Sequence, residues 1–507
     1  MPHEDTISGA KPAVALLTLL GAALRLFRLD RQSVWLDEGY QYHFASAPTA
    51  REVLARVLDP GRSTHPPLSH LINHAFLQIG DSDFVLRLPS ALFGIASIPL
   101  LYLLARRLAG ARAALFATVL FALSPFHVWF SQEARMYAQL VFFVVLSSIA
   151  LLKAVGRPGV VWWIVYVLAA TAGMYTHIYM GFTLAAHGIW ILAFARRRVV
   201  PFAVCGIAIT VAYAPMLSFF LGAQAAASRE VPVGSVGFSW GALPYTLFTF
   251  AAGFSLGPSV RELKTVSMAS ALREHAVAIG AVALAFAAAV IASLLPLWRR
   301  RAELSLCVLA IAIPVLGPIA MSRFPWMIFN VRYTSGAFPF FCILVGAGVA
   351  YAFERSRAAG SVLAAAIVVL SLASLNNHYT DTRYVKEDIR GAVAMWRHDG
   401  GTARLASNLP PAVERYLTAD ELARHTELRD TRTLVPVLQG VLADHAPEQV
   451  WVIISRDFDG LQQAAIHRAF RVEEERTLPG VVIFRVTRSL EDDAPDLRKR
   501  LYDVAPK

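Results

Sequence analysis

Apolar runs of roughly 17 to 25 residues recur from about residue 12 to residue 375, and each is long enough to cross a bilayer as a helix. Inside hydrocarbon every backbone N–H and C=O must find its partner within the protein, so only helices and closed barrels can span. Runs this long and unbroken, without alternation, specify helices. The bulk figures agree. The chain is 56% hydrophobic and 16% charged over 507 residues, where soluble domains carry about a quarter charged residues. Its mean hydropathy is +0.50. The expected fold class is an all-α polytopic membrane protein.

The runs fall at 12–29, 88–105, 112–130, 136–152, 160–175, a sixth that ends at Arg196-Arg197-Arg198, 200–221, an eighth that ends at Trp298-Arg299-Arg300, 303–321, 332–354 and 360–375. That gives about eleven transmembrane helices. Residues 1–11 lack the positive n-region of a signal peptide, and 12–29 lacks a small-residue cleavage pattern, so the first run reads as a retained anchor. Between the first two runs, 50–58 and 68–79 read as amphipathic helices lying at the interface. Pro66 and Pro67 fit the first turn of the second of these. In the long segment 222–273, the apolar stretch 240–256 reads as re-entrant or interfacial.

The formal net charge is +11. Many of the Lys and Arg residues sit in short loops between runs. That is a topology signal, and it excludes a nucleic-acid partner, which would need them gathered on one soluble face. Arg106/Arg107/Arg112, Lys153/Arg157, Arg196–Arg198, Arg299–Arg301 and Arg355/Arg357 fall on one side, the cytoplasm. Asp37/Glu38, Glu133/Arg135, His177, 222–273 and Arg332 fall on the other. Cys205, Cys307 and Cys342 lie inside apolar runs and read as small core residues. From about residue 376 the composition turns soluble. Helices near 386–397, 434–445 and 461–469, with buried strands at 450–455 and 481–486, predict a small α/β extracytoplasmic domain. The domains expected are 1–375 and 376–507.

The chemistry gathers at one face. Asp37 and Glu38 sit within a few residues of the membrane, where carboxylates are costly unless paired, hydrated or used. They read either as a solvated loop pair or as a general base with a raised pKa. Tyr40 and Tyr42 beside them read as interfacial aromatics or as sugar-stacking platforms. Arg87, Arg135 and Arg332 read as snorkelling residues or as holders of a lipid phosphate, which suits a planar guanidinium. His177 shares that ambiguity. His65, His70 and His74 with Glu38 are a weak match to a divalent-metal set, so no metal or other cofactor is expected to be obligatory.

At this point the residues resemble a known family. Ser33-Val34-Trp35-Leu36-Asp37-Glu38 and His65-Pro66-Pro67-Leu68 resemble the first outer loop of membrane glycosyltransferases with the GT-C fold. They are similar to the bacterial family 39 type, which includes protein O-mannosyltransferase-like, Rhizobium galacturonosyltransferase-like and aminoarabinose transferase relatives. Leu86-Arg87-Leu88-Pro89-Ser90, Ser124-Pro125-Phe126-His127, Ser131-Gln132-Glu133-Ala134-Arg135-Met136-Tyr137, Tyr175-Thr176-His177 and Arg332-Tyr333 extend the resemblance, which covers about 12–375. It implies transfer of a sugar from a polyprenyl-phosphate donor to a hydroxyl on lipid, glycan or protein, usually with inversion, at the outer face of the cytoplasmic membrane. It implies that Asp37 is the base, with Glu38 beside it as a second catalytic candidate. Arg87 would hold donor phosphate or acceptor, and His65, Glu133, Arg135, His177 and Arg332 would bind substrate. The chain lacks the lumenal β-trefoil-like insertion of the eukaryotic O-mannosyltransferases, which weakens the case for a protein acceptor. Competing readings are a transporter or flippase of a lipid-linked sugar, which would need polar groups at mid-membrane depth, and a sensor anchored by its helices.

Overall fold

The computed structural model describes residues 9–59, 63, 65–157, 159–217, 219, 239–324, 329–428, 431–443 and 449–489. The chain divides into two compact units: one of 1–29, 44–259 and 269–380, the other of 30–43, 260–268 and 381–507. The expected class, a helical membrane bundle plus a small α/β domain, is what the structure has.

In the first unit the expected apolar runs are helical over their described residues, one of them as a broken pair. Among the described residues seven helices are long and apolar enough to cross a membrane, or eight if the bent pair Ala111–Leu123 and Pro125–Ser131 is one span. Val161–Thr176 and Met180–Phe194 are apolar but have only 16 and 15 residues. At 1.5 Å per residue these reach about 24 Å or less, short of a roughly 30 Å hydrocarbon core. Among the described residues, the helices that meet the full length are therefore fewer than the apolar runs. Ala242–Ala252, inside the stretch read as re-entrant, has 11 residues and is shorter still. Of the wider segment 222–273, residues 222–238 lie outside the described residues. Ala50–Leu58 and Leu68–Leu77 form as expected, and they pack through Val53, Val57 and Leu71.

The innermost helix is Phe338–Arg355, preceded by the 3-10 turn Val331–Ala337. It gets close to its neighbours by having no side chain where they touch. A Cβ on Gly346 would meet Ala113 O and Ala117 N at 2.6 Å, and one on Gly348 would clash with Ala289 O. Small residues permit this approach between helices that gain no hydrophobic energy from each other in lipid. Ala276–Trp298, by contrast, exposes Val277, Leu284 and Ile291 at seven-residue spacing. That is one apolar stripe on a single face.

The run expected at 112–130 is not a straight span. It breaks at Ser124-Pro125 with a bend of 53°. Pro125 cannot donate a hydrogen bond and takes the first position of the second helix, while the Ser124 hydroxyl accepts from His127 N at 3.2 Å. The break leaves carbonyls at the end of the first helix without helical partners, and Arg25 supplies the donors. From the helix Ala10–Leu26 its Nη1 donates to Ala122 O at 3.1 Å and to Gly21 O at 2.9 Å. Its Nη2 donates to Phe121 O at 3.2 Å and to His127 Nδ1 at 2.9 Å. A cation at a helix C-terminus is also favoured by the helix dipole.

In the second unit a five-stranded sheet has β1 (Arg404–Ser407), β2 (His425–Glu427), β3 (Val450–Ser455), β4 (Phe470–Leu478) and β5 (Val481–Ser489). Their order is β2-β1-β3-β5-β4, with β1 parallel to β2 and β3, and β5 antiparallel to β3 and β4. Alternation along β3 sends Trp451 and Ile453 to one face, where they meet Val393 and Trp396 of the helix Ile389–Gly400. Val450, Val452 and Ile454 go to the other face, against Leu434 and Leu438 of Thr431–Ala443 and Ile466 of Leu461–Ala469.

Replacing Arg25 removes charged donors from several buried carbonyls at once, and such bonds contribute about 1.5–3 kcal/mol each when broken one-sidedly. Arg25→Met is expected to lower the unfolding free energy in detergent by about 2–4 kcal/mol. Arg25→Lys should recover little, because an ammonium lacks the fork that reaches two carbonyls and the imidazole together. Thermal unfolding of the purified variants measures both.

Candidate functional site

Four of the singled-out side chains in the first unit come together at helix ends. His65 precedes Leu68–Leu77, Arg135 precedes Tyr137–Gly156, and His177 lies between Val161–Thr176 and Met180–Phe194. Arg332 enters the turn before Phe338–Arg355, where Asn330 accepts from its backbone N at 3.2 Å. Arg135 Nη2 is 3.3 Å from His65 Nε2. The His65 and His177 rings lie 5.7 Å apart, edge to face. Tyr137, Tyr179 and Tyr333 surround His177 at 5.9, 5.0 and 5.7 Å. The Arg332 guanidinium stands over Tyr137 at 5.8 Å and Tyr333 at 5.7 Å, so the aromatic faces stabilise the cation.

The protonation of this cluster follows from its bonds. Tyr179 N–H donates to His177 Nδ1 at 3.2 Å, so the neutral ring carries its proton on Nε2. That Nε2 is buried and has no hydrogen-bond partner among the described residues. Burial, followed by the Arg135 and Arg332 charges, pushes the His177 pKa down to about 3. Burial and Arg135 hold His65 well below the ordinary imidazole range. The cluster is thus two guanidinium cations, two neutral imidazoles and three phenols. The N-termini of Tyr137–Gly156 and Met180–Phe194 meet there as well, and helix N-termini favour anions. Such an arrangement suits an anion that needs fixed donors.

Glu133 is buried in the turn before Arg135, and its Oε1 accepts from Trp129 Nε1 at 2.8 Å. Ser90 Oγ donates to Arg135 O at 2.9 Å, which pins the turn to the helix Asp83–Ala109. Arg87, on that same helix, is buried, and its Nη1 donates to Leu29 O at 2.9 Å. As for a metal, Arg135 faces His65 Nε2, and His74 Nδ1 lies 2.9 Å from Ala45 O, which can only accept. Those partners use two of the ring nitrogens that the His65, His70 and His74 set would offer a cation.

In the second unit, Asp37 and Glu38 occupy the first turn of the helix Leu36–Ala45. The two differ. Asp37 is partly exposed, while Glu38 is fully buried with its Oε2 3.8 Å from Lys386 Nζ. Glu38, the second catalytic candidate, thus faces a cation, while Asp37 is the more accessible of the two. Tyr40 follows one turn on. Burial and then Glu427, Asp37 and Glu414 raise its phenol pKa.

Sequence reasoning missed Arg25, His127 and Lys386. Arg25 lies near the end of the 12–29 run, where an arginine reads as snorkelling, and His127 sits inside the 112–130 run. Lys386 lies 348 positions from Glu38, and no spacing rule connects them.

Residues 64–219 match the family described as dolichyl-phosphate-mannose-protein mannosyltransferase. YycA of Bacillus subtilis (strain 168) is 30% identical over 159 residues, and YkcB of the same organism is 29% identical over 158. These matches take in 30% and 29% of this chain but only 23% and 22% of the relatives' own length. The fold of ArnT from Cupriavidus metallidurans superposes with a TM-score of 0.56 at 15% identity, covering 94% of this chain and 98% of that one. An Archaeoglobus fulgidus oligosaccharyltransferase superposes with a TM-score of 0.55 at 11% identity, covering 93% and 72%. The chain has the GT-C fold of membrane glycosyltransferases, with its residues 64–219 matching the dolichyl-phosphate-mannose-protein mannosyltransferase family.

Proposed function

We propose that the protein transfers a sugar from a polyprenyl-phosphate donor to a hydroxyl of a lipid or glycan, with inversion, at the outer face of the cytoplasmic membrane. The observation that carries this reading is the meeting of buried Arg135 and His177 with half-buried Arg332 and His65 at helix ends. A lipid phosphate is the anion a membrane-embedded cluster of that kind is suited to hold. The names of related proteins point the same way. ArnT of Cupriavidus metallidurans has been solved bound to undecaprenyl phosphate. The names of YycA and YkcB carry a provisional mannosyltransferase assignment. The loop distribution of Lys and Arg supports an outer-face site and an extracytoplasmic C-terminal domain.

In the proposed mechanism the acceptor oxygen attacks the anomeric carbon from the face opposite the phosphate. The C–O bond to phosphate breaks as the new glycosidic bond forms, and polyprenyl phosphate leaves with the electron pair. Asp37 takes the acceptor proton. Arg135 and Arg332 balance the charge growing on the leaving phosphate, and His177 Nε2–H is a further donor to it. Arg87 and Glu133 complete the substrate-binding set. Glu38, neutralised by Lys386, supports Asp37 and takes no proton itself.

Asp37→Asn should insert and fold normally yet lose about 10²- to 10⁴-fold in transfer rate, the usual range for a general base. Near-normal turnover of that variant with a polyprenyl-phosphate-linked sugar rejects the assignment. Arg135→Gln should raise the donor KM about tenfold or more, since a charge-assisted contact to phosphate is lost. Both imidazoles are depressed and stay neutral above their lowered pKa values. The pH–rate profile between about pH 6 and 8 should therefore show no histidine inflection. An inflection near 6.5 that disappears in His177→Gln contradicts the cluster's electrostatics.

A further inference from the structure

The segment carrying Asp37 is fastened on both sides of it to the C-terminal α/β domain, all within one compact unit. Upstream, Ser33 Oγ donates to Asp388 Oδ1 at 2.8 Å, and Val34 N–H donates to the Tyr416 hydroxyl at 2.7 Å. Leu36, the residue before Asp37, packs on the sheet core that contains Leu409, Ala412 and Trp451. Downstream, Glu38 pairs with Lys386. Gly39 lies so close to the short helix Pro410–Glu414 after β1 that a Cβ there would sit 2.6 Å from Pro411 C and O and Ala412 N.

The place of attachment is significant. In the order β2-β1-β3 the three parallel strands reverse direction of winding around β1. Open α/β sheets hold ligands at such a point, outside the carboxyl ends of the strands. Here the carboxyl end of β1 leads to Pro411–Ala412, against Gly39, and that of β3 leads to Arg456, whose guanidinium stands 5.1 Å over the Trp35 ring. Arg456 has a φ of 58°, uncommon for a side-chain-bearing residue, and its Nε is held by Glu387 Oε1 at 2.7 Å. Lys386 stands over Trp35 as well, at 5.3 Å. The crevice where such a sheet would hold a small molecule is filled by residues 35–39 of the same chain.

We infer that the C-terminal α/β domain is a clamp that fixes Asp37, with Tyr416, Lys386 and the Pro411–Ala412 backbone as its positioning elements. The inference rests on the reading of Asp37 as the base. A base tethered only by a loop would sample many positions, and a displacement of about 1 Å can cost on the order of 10²-fold in rate. Anchors at 33, 34, 36, 38 and 39 remove that freedom, while the Lys386 pairing keeps Glu38 from competing for the proton.

Two mild substitutions test this. Tyr416→Phe deletes only the hydroxyl that receives Val34 N–H. Gly39→Ala installs a better helix former within Leu36–Ala45, so a purely local account expects it to be neutral or stabilising. Each is expected to lower kcat about 10- to 100-fold with donor KM within about twofold. Each should also speed hydrogen exchange at 33–39. In an Asp37→Asn background neither should lower kcat further, because both act through the carboxylate. Wild-type kcat in both variants, or an undiminished further loss in the Asp37→Asn background, overturns the clamp while leaving the base assignment intact. If Asp37→Asn itself turns over normally, the base assignment fails, and the clamp fails with it.

Discussion

A charge taken out of water beside hydrocarbon must find a partner or it will not stay charged, and this rule explains most of the specific contacts in the molecule. Arg25 is completely buried and spends its guanidinium on three backbone carbonyls and an imidazole. Arg87 is held by the Leu29 carbonyl, and Glu38 by Lys386. Arg332 rests on two tyrosine faces. In the Arg135 cluster the cations sit beside imidazoles that burial and the arginine charges keep neutral.

The fold delivers these groups through helix ends. Breaking the helix pair at Ser124-Pro125 brings Gln132, Glu133 and Arg135 into a turn before the next helix. Gln132 then ties that turn to the carbonyls at 24, 25 and 27, and His378 Nε2 lies 2.8 Å from Gln132 Oε1. The first helix, the broken helix and the helix Arg357–Thr380 are thereby bound through one side chain. Close packing at Gly346 and Gly348 holds the central helix that presents Arg332 from its preceding turn. Rigid helices with short connecting turns fix side chains better than a long loop does. The one long polar connection that carries Asp37 is stiffened differently, by docking on a sheet domain.

The helices were legible because hydropathy is a local signal. Runs of apolar residues marked the long ones, and arginines marked many of their ends. β3 and β5 were legible for the same reason, being short β-branched runs buried by the sheet. β1 and β2, at 4 and 3 residues, are too short for any periodicity to register. β4 reads FRVEEERTL, an edge strand with mostly polar side chains, and resembles a loop. His65, Arg135, His177 and Arg332 could be named from the sequence, but the Arg135–His65 contact joins residues 70 positions apart and the His65–His177 ring contact joins residues 112 apart. The Glu38–Lys386 pair and the grouping of residues 30–43 with the C-terminal domain are long-range facts of the same sort. The bend at Ser124-Pro125 was written in the sequence as a serine–proline cap, yet an uninterrupted apolar background concealed it.

The most direct test is product stoichiometry. The purified protein in liposomes is given a polyprenyl-phosphate-linked sugar and a pool of envelope lipid and glycan acceptors, and released polyprenyl phosphate is quantified together with glycosylated acceptor. A transferase produces the two in equal amounts and only when acceptor is present. Intact donor moved from one leaflet to the other, with no free polyprenyl phosphate, would contradict the account.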